Sequence, residues 1–337
     1  MKKLLTIVVP AFNSEDYLER CVNSLLIEKA RLQIILVDDG SKDRTPEIMD
    51  QYARQFPSHV QTIHQKNKGH GGVINAALKY VNCKYLKIVD SDDWLDFVAL
   101  KKLLDLLERF DKENETVDML ICNYMYDKVN AVHKKIIRFT TLPQNCFFGW
   151  DQVKLPIDQY LMIHAIIYRT EVLIKANLQL PEHIFYEDNL YVFEPLIYVN
   201  KIYYFDINLY HYYIGRSDQS VNENVMLKRI DQQLTINKMM IIFYKNNINE
   251  NTDLGRYMRD YLKIITTISS IILIRGNSNY YLNLKDELWQ YLKVNDPLLY
   301  KNFKNTLLGK GVNLPGKLGR EIASWVYSLL HKLYGFN

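Results

Sequence analysis

Four short strand-like runs, each closed by a polar loop, constrain this chain more than any other feature. They lie at residues 4–9, 33–37, 60–64 and 85–89, and segments of helical spacing at 15–27, 43–55 and 71–80 separate them. The first two runs are almost unbroken in their apolar character, as expected of strands buried on both faces. Ser14 is a plausible cap for the first helix, and Pro46 is tolerated near the start of the second. Strand and helix alternating in this way predict an open, mainly parallel sheet flanked by helices. In such sheets ligands gather at the carboxyl ends of the strands. The polar loops sit at those ends: Pro10-Ala11-Phe12-Asn13, Asp38-Asp39-Gly40-Ser41, Asn67-Lys68-Gly69-His70-Gly71-Gly72 and Asp90-Ser91-Asp92-Asp93. Their shared edge predicts one site built from four loops.

Beyond this block the pattern is mixed. A helix is expected at 100–110, strands at 119–124 and 203–213, and a helix at 189–199. From about residue 222 the signals are helical. We therefore expect a domain over 1–221, with a nucleotide-binding half at 1–95 and an acceptor-binding half at 96–221, and a helical domain over 222–337. The length of 337 residues allows this.

Composition narrows the function classes. Hydrophobic residues make up 48% and charged residues 24%, which suits a folded globular chain and not a disordered one. The net charge of +4, with Lys and Arg spread along the chain, argues against a nucleic-acid partner. Cys21, Cys83, Cys122 and Cys146 are far apart and form no zinc pattern, so each reads as a reduced core residue in a cytoplasmic protein. Residues 4–9 read as a strand, not a leader, and the apolar stretch at 264–274 is too short to span a bilayer.

The acidic cluster carries the strongest chemistry. Three carboxylates within four residues repel one another, and a hard divalent cation with oxygen ligands removes that cost. A diphosphate supplies further oxygens to the same ion. Asp38 and Asp39 end another strand; one of them can accept the imide N–H of a pyrimidine, while the other makes the turn. Phe12 can lie flat on a base.

The strings VVPAFN at 8–13, VDDGSKDRT at 37–45, NKGHGGVINAA at 67–77 and VDSDDWL at 89–95 resemble, in order and spacing, the motifs of family 2 glycosyltransferases with the GT-A fold. Tyr186-Glu187-Asp188-Asn189 resembles the catalytic ED motif of that family. The resemblance implies a Rossmann-like sheet with a helical C-terminal extension, and a metal-dependent, inverting transfer of sugar from a nucleotide-diphosphate donor; the base site suits the imide of a UDP-sugar, and a dTDP-sugar offers the same imide. Mn²⁺ or Mg²⁺ is the implied cofactor. Asp188 would be the general base, with Glu187 beside it raising its pKa. Pro10 and Phe12 would lie against the base, Ala11, Asn13 and Glu15 would belong to the same nucleotide-sugar site, and Asp39 would read the base edge. Asn67, Gly69, Gly72 and Asn75 would border the nucleotide. Asp90, Ser91 and Asp93 would lie against the ribose, metal shell or sugar, Arg216 against a phosphate. Asp92, Asp90 and His211 would hold the metal, and His164 would line the acceptor side. The QxxRW signature of processive members is absent, which implies one sugar per encounter. A sugar nucleotidyltransferase would show an early Gly-rich loop, and a non-catalytic partner subunit would have lost its acids; neither fits these loops.

The acceptor is expected to be a cell-surface glycan, lipid-linked or polymeric. Leu318, Ile322, Trp325, Val326, Leu329, Leu330 and Leu333 fall on one helical face, with Lys317, Arg320 and Lys332 away from it. Such a helix suits packing on its own domain, a second copy in a homo-oligomer, or peripheral contact with the inner face of the cell membrane.

Overall fold

The computed structural model describes residues 3–128, 135–157, 159–215 and 222–334, with side chains described as far as Trp325. The chain forms two compact units. Unit 1 takes residues 1–155 and 161–214; unit 2 takes residues 156–160 and 215–337.

In unit 1, ten strands among the described residues make one sheet. They are β1 (Leu5–Ala11), β2 (Leu32–Asp38), β3 (Val60–His64), β4 (Tyr85–Ile88), β5 (Trp94–Leu95), β6 (Met119–Lys128), β7 (Lys135–Ile137), β8 (Phe147–Phe148), β9 (Ile166–Arg169) and β10 (Ile202–Ile214). The order is β3-β2-β1-β4-β9-β6-β10-β5, with β7 beside β6 and β8 beside β10. β1, β2 and β4 are buried along their whole length, which is why their sequences show no polar alternation. β1, β2, β3 and β4 run parallel, as do β6 and β10. The expected α/β fold with a mainly parallel sheet is therefore the observed one. Short β9 lies antiparallel to both β4 and β6 and joins the two parallel blocks. Nothing in its four residues announced this place.

β10 is irregular where it matters. Its register against β6 shifts between Phe205 and Asn208 and again between Asn208 and Tyr210. Asn123 holds the irregularity, donating to Asp206 and Asn208. Bulges re-aim the residues that follow them; here Tyr210 and His211 then pair with β5, directly after the acidic loop.

Several local expectations need correction. Ser14 does not cap a helix with its side chain: the helix is Leu18–Leu26, and the Ser14 hydroxyl meets Ser91 Oγ at 2.7 Å. The helix expected at 189–199 is α-helical only over Asp188–Phe193 and continues as a 3-10 turn over Glu194–Tyr198, where Pro195 lacks the N–H an α-helix needs. Cys21, Cys83 and Cys122 are buried thiols, but Cys146 is exposed and belongs to no core.

Unit 2 is helical. Its longest helices are Ile230–Asn247, Asp253–Arg275, Asn279–Asn295 and Gly316–Tyr334. Side-chain oxygens of Thr252, Ser278, Asp296 and Thr306 accept backbone N–H groups at helix starts, satisfying donors that the helix cannot. Between the first two helices run paired polar groups, Gln233 with Ser269 and Asn237 with Thr266. The apolar stretch at 264–274 is thus core. Among the described residues no helix is long and apolar enough to cross a membrane.

Candidate active site

The loops that follow β1, β2, β3 and β4 meet on one edge, tied by named hydrogen bonds. After β1, Asn13 sits in the left-handed region at φ 48°. Its Oδ1 accepts from the Lys42 N–H and its own N–H donates to Ser41 Oγ. Glu15 accepts from the Arg44 N–H. Asn13 and Glu15 therefore knit the first loop to the second. Pro10 and Ala11 are buried at the strand end, whereas Phe12, in the loop that follows, is 50% exposed.

After β2 the two acids divide the work. Asp38 Oδ1 accepts from the Ser41 N–H and makes the turn. Asp39 accepts from Gln65 Nε2 and from the backbone N–H groups of Lys68 and Gly69, at 2.7 to 2.8 Å. Asn67 adds a bond from its side chain to the Asp39 carbonyl. A carboxylate has about four acceptor positions, so Asp39 keeps one beyond the three the loop uses.

The third loop runs into the helix Gly69–Leu78. Gly69 has φ 76°, and a Cβ there would meet the His183 backbone nitrogen at 3.0 Å. Only glycine suits both conditions. Gly72 is buried one turn into the helix, against the stem of Lys68. Asn75 does something the sequence did not show: its side-chain amide donates to the Leu180 carbonyl and accepts the Leu180 N–H, at 2.8 and 2.9 Å. It fastens the segment that leads to Glu187-Asp188.

The acidic loop follows β4. Ser91 bonds to Ser14. The Asp92 carbonyl accepts from Arg20 Nη2 at 2.7 Å, and the Arg20 guanidinium lies 4.0 Å from the Trp94 ring centre and 4.5 Å from that of Tyr213. Asp93 is fully buried; Tyr210 Oη donates to one oxygen at 2.5 Å and the Tyr213 N–H to the other at 2.7 Å. The same Tyr210 oxygen accepts the Asp90 N–H. Burial, then the charges of Asp92 and Asp90, push the Asp93 carboxyl well above the ordinary carboxylate range. Both causes disfavour the charged carboxylate, and a cation beside it would oppose them.

A buried cation sits beneath this loop. Lys87 is wholly enclosed, donates to the carbonyls of His164 and Ile166, and has its pKa lowered by burial to about 8. His164 is buried among Tyr124, Tyr210 and Tyr212, and its Nδ1 has no hydrogen-bond partner. Burial lowers its pKa to about 4, which leaves it a neutral imidazole. One ligand atom each from Asp90, Asp93 and His164 lie within 4.8 Å of one another. Two carboxylate oxygens and an imidazole with an orphaned nitrogen fit a divalent cation such as Mn²⁺ or Mg²⁺. The expected ligands were Asp92, Asp90 and His211; His211 puts Nδ1 3.0 Å from Asp127 Oδ2, stacks on Trp94 at 4.8 Å and lies on the part of β10 that pairs with β5 directly after the acidic loop. Arg216, the expected phosphate ligand, lies outside the described residues.

Glu187 and Asp188 come from far along the chain to the same edge. Glu187 is buried and its Oε1 lies 2.6 Å from His70 Nδ1; His70 Nε2 lies 3.0 Å from Asp90 Oδ1. Burial opposes charge on His70, but the hydrogen bonds to Asp90 and Glu187 outweigh it and hold its pKa well above the usual histidine value. Asp188 Oδ1 accepts from the Asn189 N–H. Burial, then the Glu187 charge, lift the Asp188 pKa to about 7. A carboxylate poised near neutrality is suited to taking and releasing a proton. His70 is the residue that sequence reasoning missed. Its place beside Gly69 was visible, but its partner Glu187 is 117 positions away.

The description "Glycosyl transferase family 2" matches residues 6–175, half of the chain and all four loops. The chain belongs to glycosyl transferase family 2. It is thus an enzyme of glycosyl transfer. The uncharacterized glycosyltransferase YibD of Escherichia coli (strain K12) is 23% identical over 303 residues, covering 88% of this chain and 76% of YibD. Among solved structures, S. aureus TarS 1–349 in complex with UDP-GlcNAc superposes with a TM-score of 0.54 at 20% identity, over 90% of both chains. The mannosyltransferase PcManGT from Pyrobaculum calidifontis, in complex with GDP-Man and Mn²⁺, does so with a TM-score of 0.55 at 13% identity, over 98% of this chain and 88% of that one. At these identities the two structures establish the shared GT-A fold of this family 2 enzyme.

Proposed function

We propose that this enzyme moves a sugar from a UDP-sugar to an acceptor hydroxyl, inverting the anomeric centre in one displacement, with Asp188 as general base. The observation that carries this reading is the placing of Asp188, with its pKa lifted to about 7, on the strand-end edge that holds the Asp90 to Asp93 loop. Phe12 offers its exposed ring to the base, and the remaining acceptor position on Asp39 suits a uracil imide N–H. The sugar donors in the TarS and PcManGT complexes are nucleotide-linked, and the second holds Mn²⁺. Asp90, Asp93 and His164, with Asp92 adjacent, are the residues that would hold the ion. When bound, it neutralises charge developing on the departing diphosphate. Asp188 takes the proton from the acceptor oxygen as that oxygen attacks, and Glu187 keeps the Asp188 carboxyl basic enough to do so. A panel of nucleotide sugars, scored for hydrolysis in the presence of Mn²⁺, tests the donor. UDP-sugars should be turned over and GDP-sugars should not; the reverse order would remove the uracil reading of Asp39 and Phe12.

The acceptor is proposed to be a glycan carried on the cytoplasmic face of the cell membrane. In the helix Gly316–Tyr334, Leu318 and Trp325 are 71% and 67% exposed and Ile322 lies on the same face. From residue 297 onward the chain has six Lys or Arg residues and one acidic residue, a net +5 in a chain whose total is +4. An apolar row beside concentrated positive charge suits anionic lipid better than a second copy of itself, which would meet the same charge. The protein should float with vesicles containing phosphatidylglycerol and release in high salt. Dimerisation without vesicle binding would assign this face to a homo-oligomer instead.

A further inference from the structure

The segment before the catalytic pair is held in an unfavourable backbone. His183 and Tyr186 both lie in the left-handed region, at φ 58° and 71°, which is unfavourable for residues with a Cβ. Besides the exposed Lys68–Glu182 ion pair, three contacts from the helix Gly69–Leu78 and the residue before it oppose that cost. The His183 N–H donates to the Lys68 carbonyl at 2.7 Å, Asn75 pairs with both backbone groups of Leu180, and His70 reaches Glu187. The packing is close: a Cβ on Gly71 would meet the Pro181 carbonyl oxygen at 2.6 Å and Glu187 Cγ at 3.0 Å. Two of the contacts grip backbone only. His70 alone among the three holds a side chain next to Asp188, and its other nitrogen grips Asp90, the first acid of the donor loop.

We propose that His70 is a positioning residue: one imidazole spans the donor loop and the ED pair, and by holding Glu187 it sets where the Asp188 carboxylate stands relative to the donor. The inference rests on Asp188 being the base. A single ring with both nitrogens occupied defines the separation of Asp90 and Glu187 more tightly than two independent contacts, because the ring is rigid and leaves no torsion between its two hydrogen-bonding atoms.

The test uses His70→Ala and His70→Gln with transfer kinetics, UDP affinity and thermal melting. Since Asn75 and the His183 N–H still fasten the segment, melting temperature and UDP affinity should stay near the parent values. Turnover should fall about 10- to 100-fold, the loss typical of a catalytic group displaced by about 1 Å. The His70→Gln variant should fall less than His70→Ala. Added imidazole should restore part of the turnover of His70→Ala, since it can refill the space between the two carboxylates. Unchanged turnover in His70→Ala overturns the proposal. So does a loss matched by an equal loss of UDP affinity in both variants with no response to imidazole, which would make His70 a structural clamp. Asp188→Asn is run beside them. If that variant keeps full turnover, the base assignment fails, and this is distinguishable from a failure confined to His70.

Discussion

Asp188→Asn will bind UDP about as well as the parent enzyme while transfer falls by about 10²–10⁴-fold, the usual worth of a general base. The amide is nearly the size of the carboxyl and can still accept the Asn189 N–H that Asp188 accepts now, so the fold has no reason to change. What disappears is the only function of the site that needs a lone pair with a pKa near neutrality. The pH profile makes the same point in the parent enzyme. The Asp188 pKa is raised, by burial and then by Glu187, to about 7. The working form is the ionised one, so turnover is present above that pKa and is lost as pH falls through it, about tenfold per unit. The acidic limb should therefore lie near pH 7 and not near pH 4, where an unperturbed aspartate would put it. In Asp188→Asn that limb should vanish from whatever rate remains. A variant that retains both the rate and the limb would mean that another group takes the proton.

Stripping divalent ions with EDTA should abolish transfer, and Mn²⁺ or Mg²⁺ should restore it. The physical argument is charge. Burial, then the charges of Asp92 and Asp90, already push the Asp93 pKa upward, and a diphosphate brings more negative charge to the same place. Two like charges about 4 Å apart cost about 4 kcal/mol at an effective dielectric near 20, or about a thousandfold in binding or rate. Lys87 offsets this only in part: its charge, like that of His70, helps to lower the Asp90 pKa, but its ammonium donates to the His164 and Ile166 carbonyls and burial has lowered its own pKa to about 8. Assays of the EDTA-treated enzyme against a back-titration with Mn²⁺ measure the effect directly. Equal rates with and without the ion would show that protein cations alone carry the diphosphate, and would leave the orphaned His164 nitrogen without this explanation.

The strands β1, β2 and β4 were legible because burial on both faces writes itself into contiguous apolar residues. The helices between them were legible from spacing, although their ends were not: Ser14 looked like a cap and is a partner of Ser91. β9 was not legible, since four residues carry too little pattern to say which way they run. The irregular β10 was visible as an aromatic strand, but its two register shifts were not, and those shifts are what bring Tyr210 to Asp93.

The candidate site divides along the same line. Local order along the chain sufficed to show four loops at four strand ends, and the family 2 motifs within them, because each loop is contiguous and strand ends share an edge. It sufficed for the acidic loop at Asp90-Ser91-Asp92-Asp93 and for the pair Glu187-Asp188 as candidates. Tertiary structure alone decided their company. It set Asp39 over three donors of the 65–69 loop, gave Asn75 to Leu180, put His164 beside Asp90 and Asp93, and laid His70 between Asp90 and Glu187. The reason is physical. A hydrogen bond or a shifted pKa depends on distances of a few ångström, and residues 105 or 117 positions apart reach such distances only through the packing of everything between them. Sequence could state which groups were present at the edge; only the folded chain could state which of them meet.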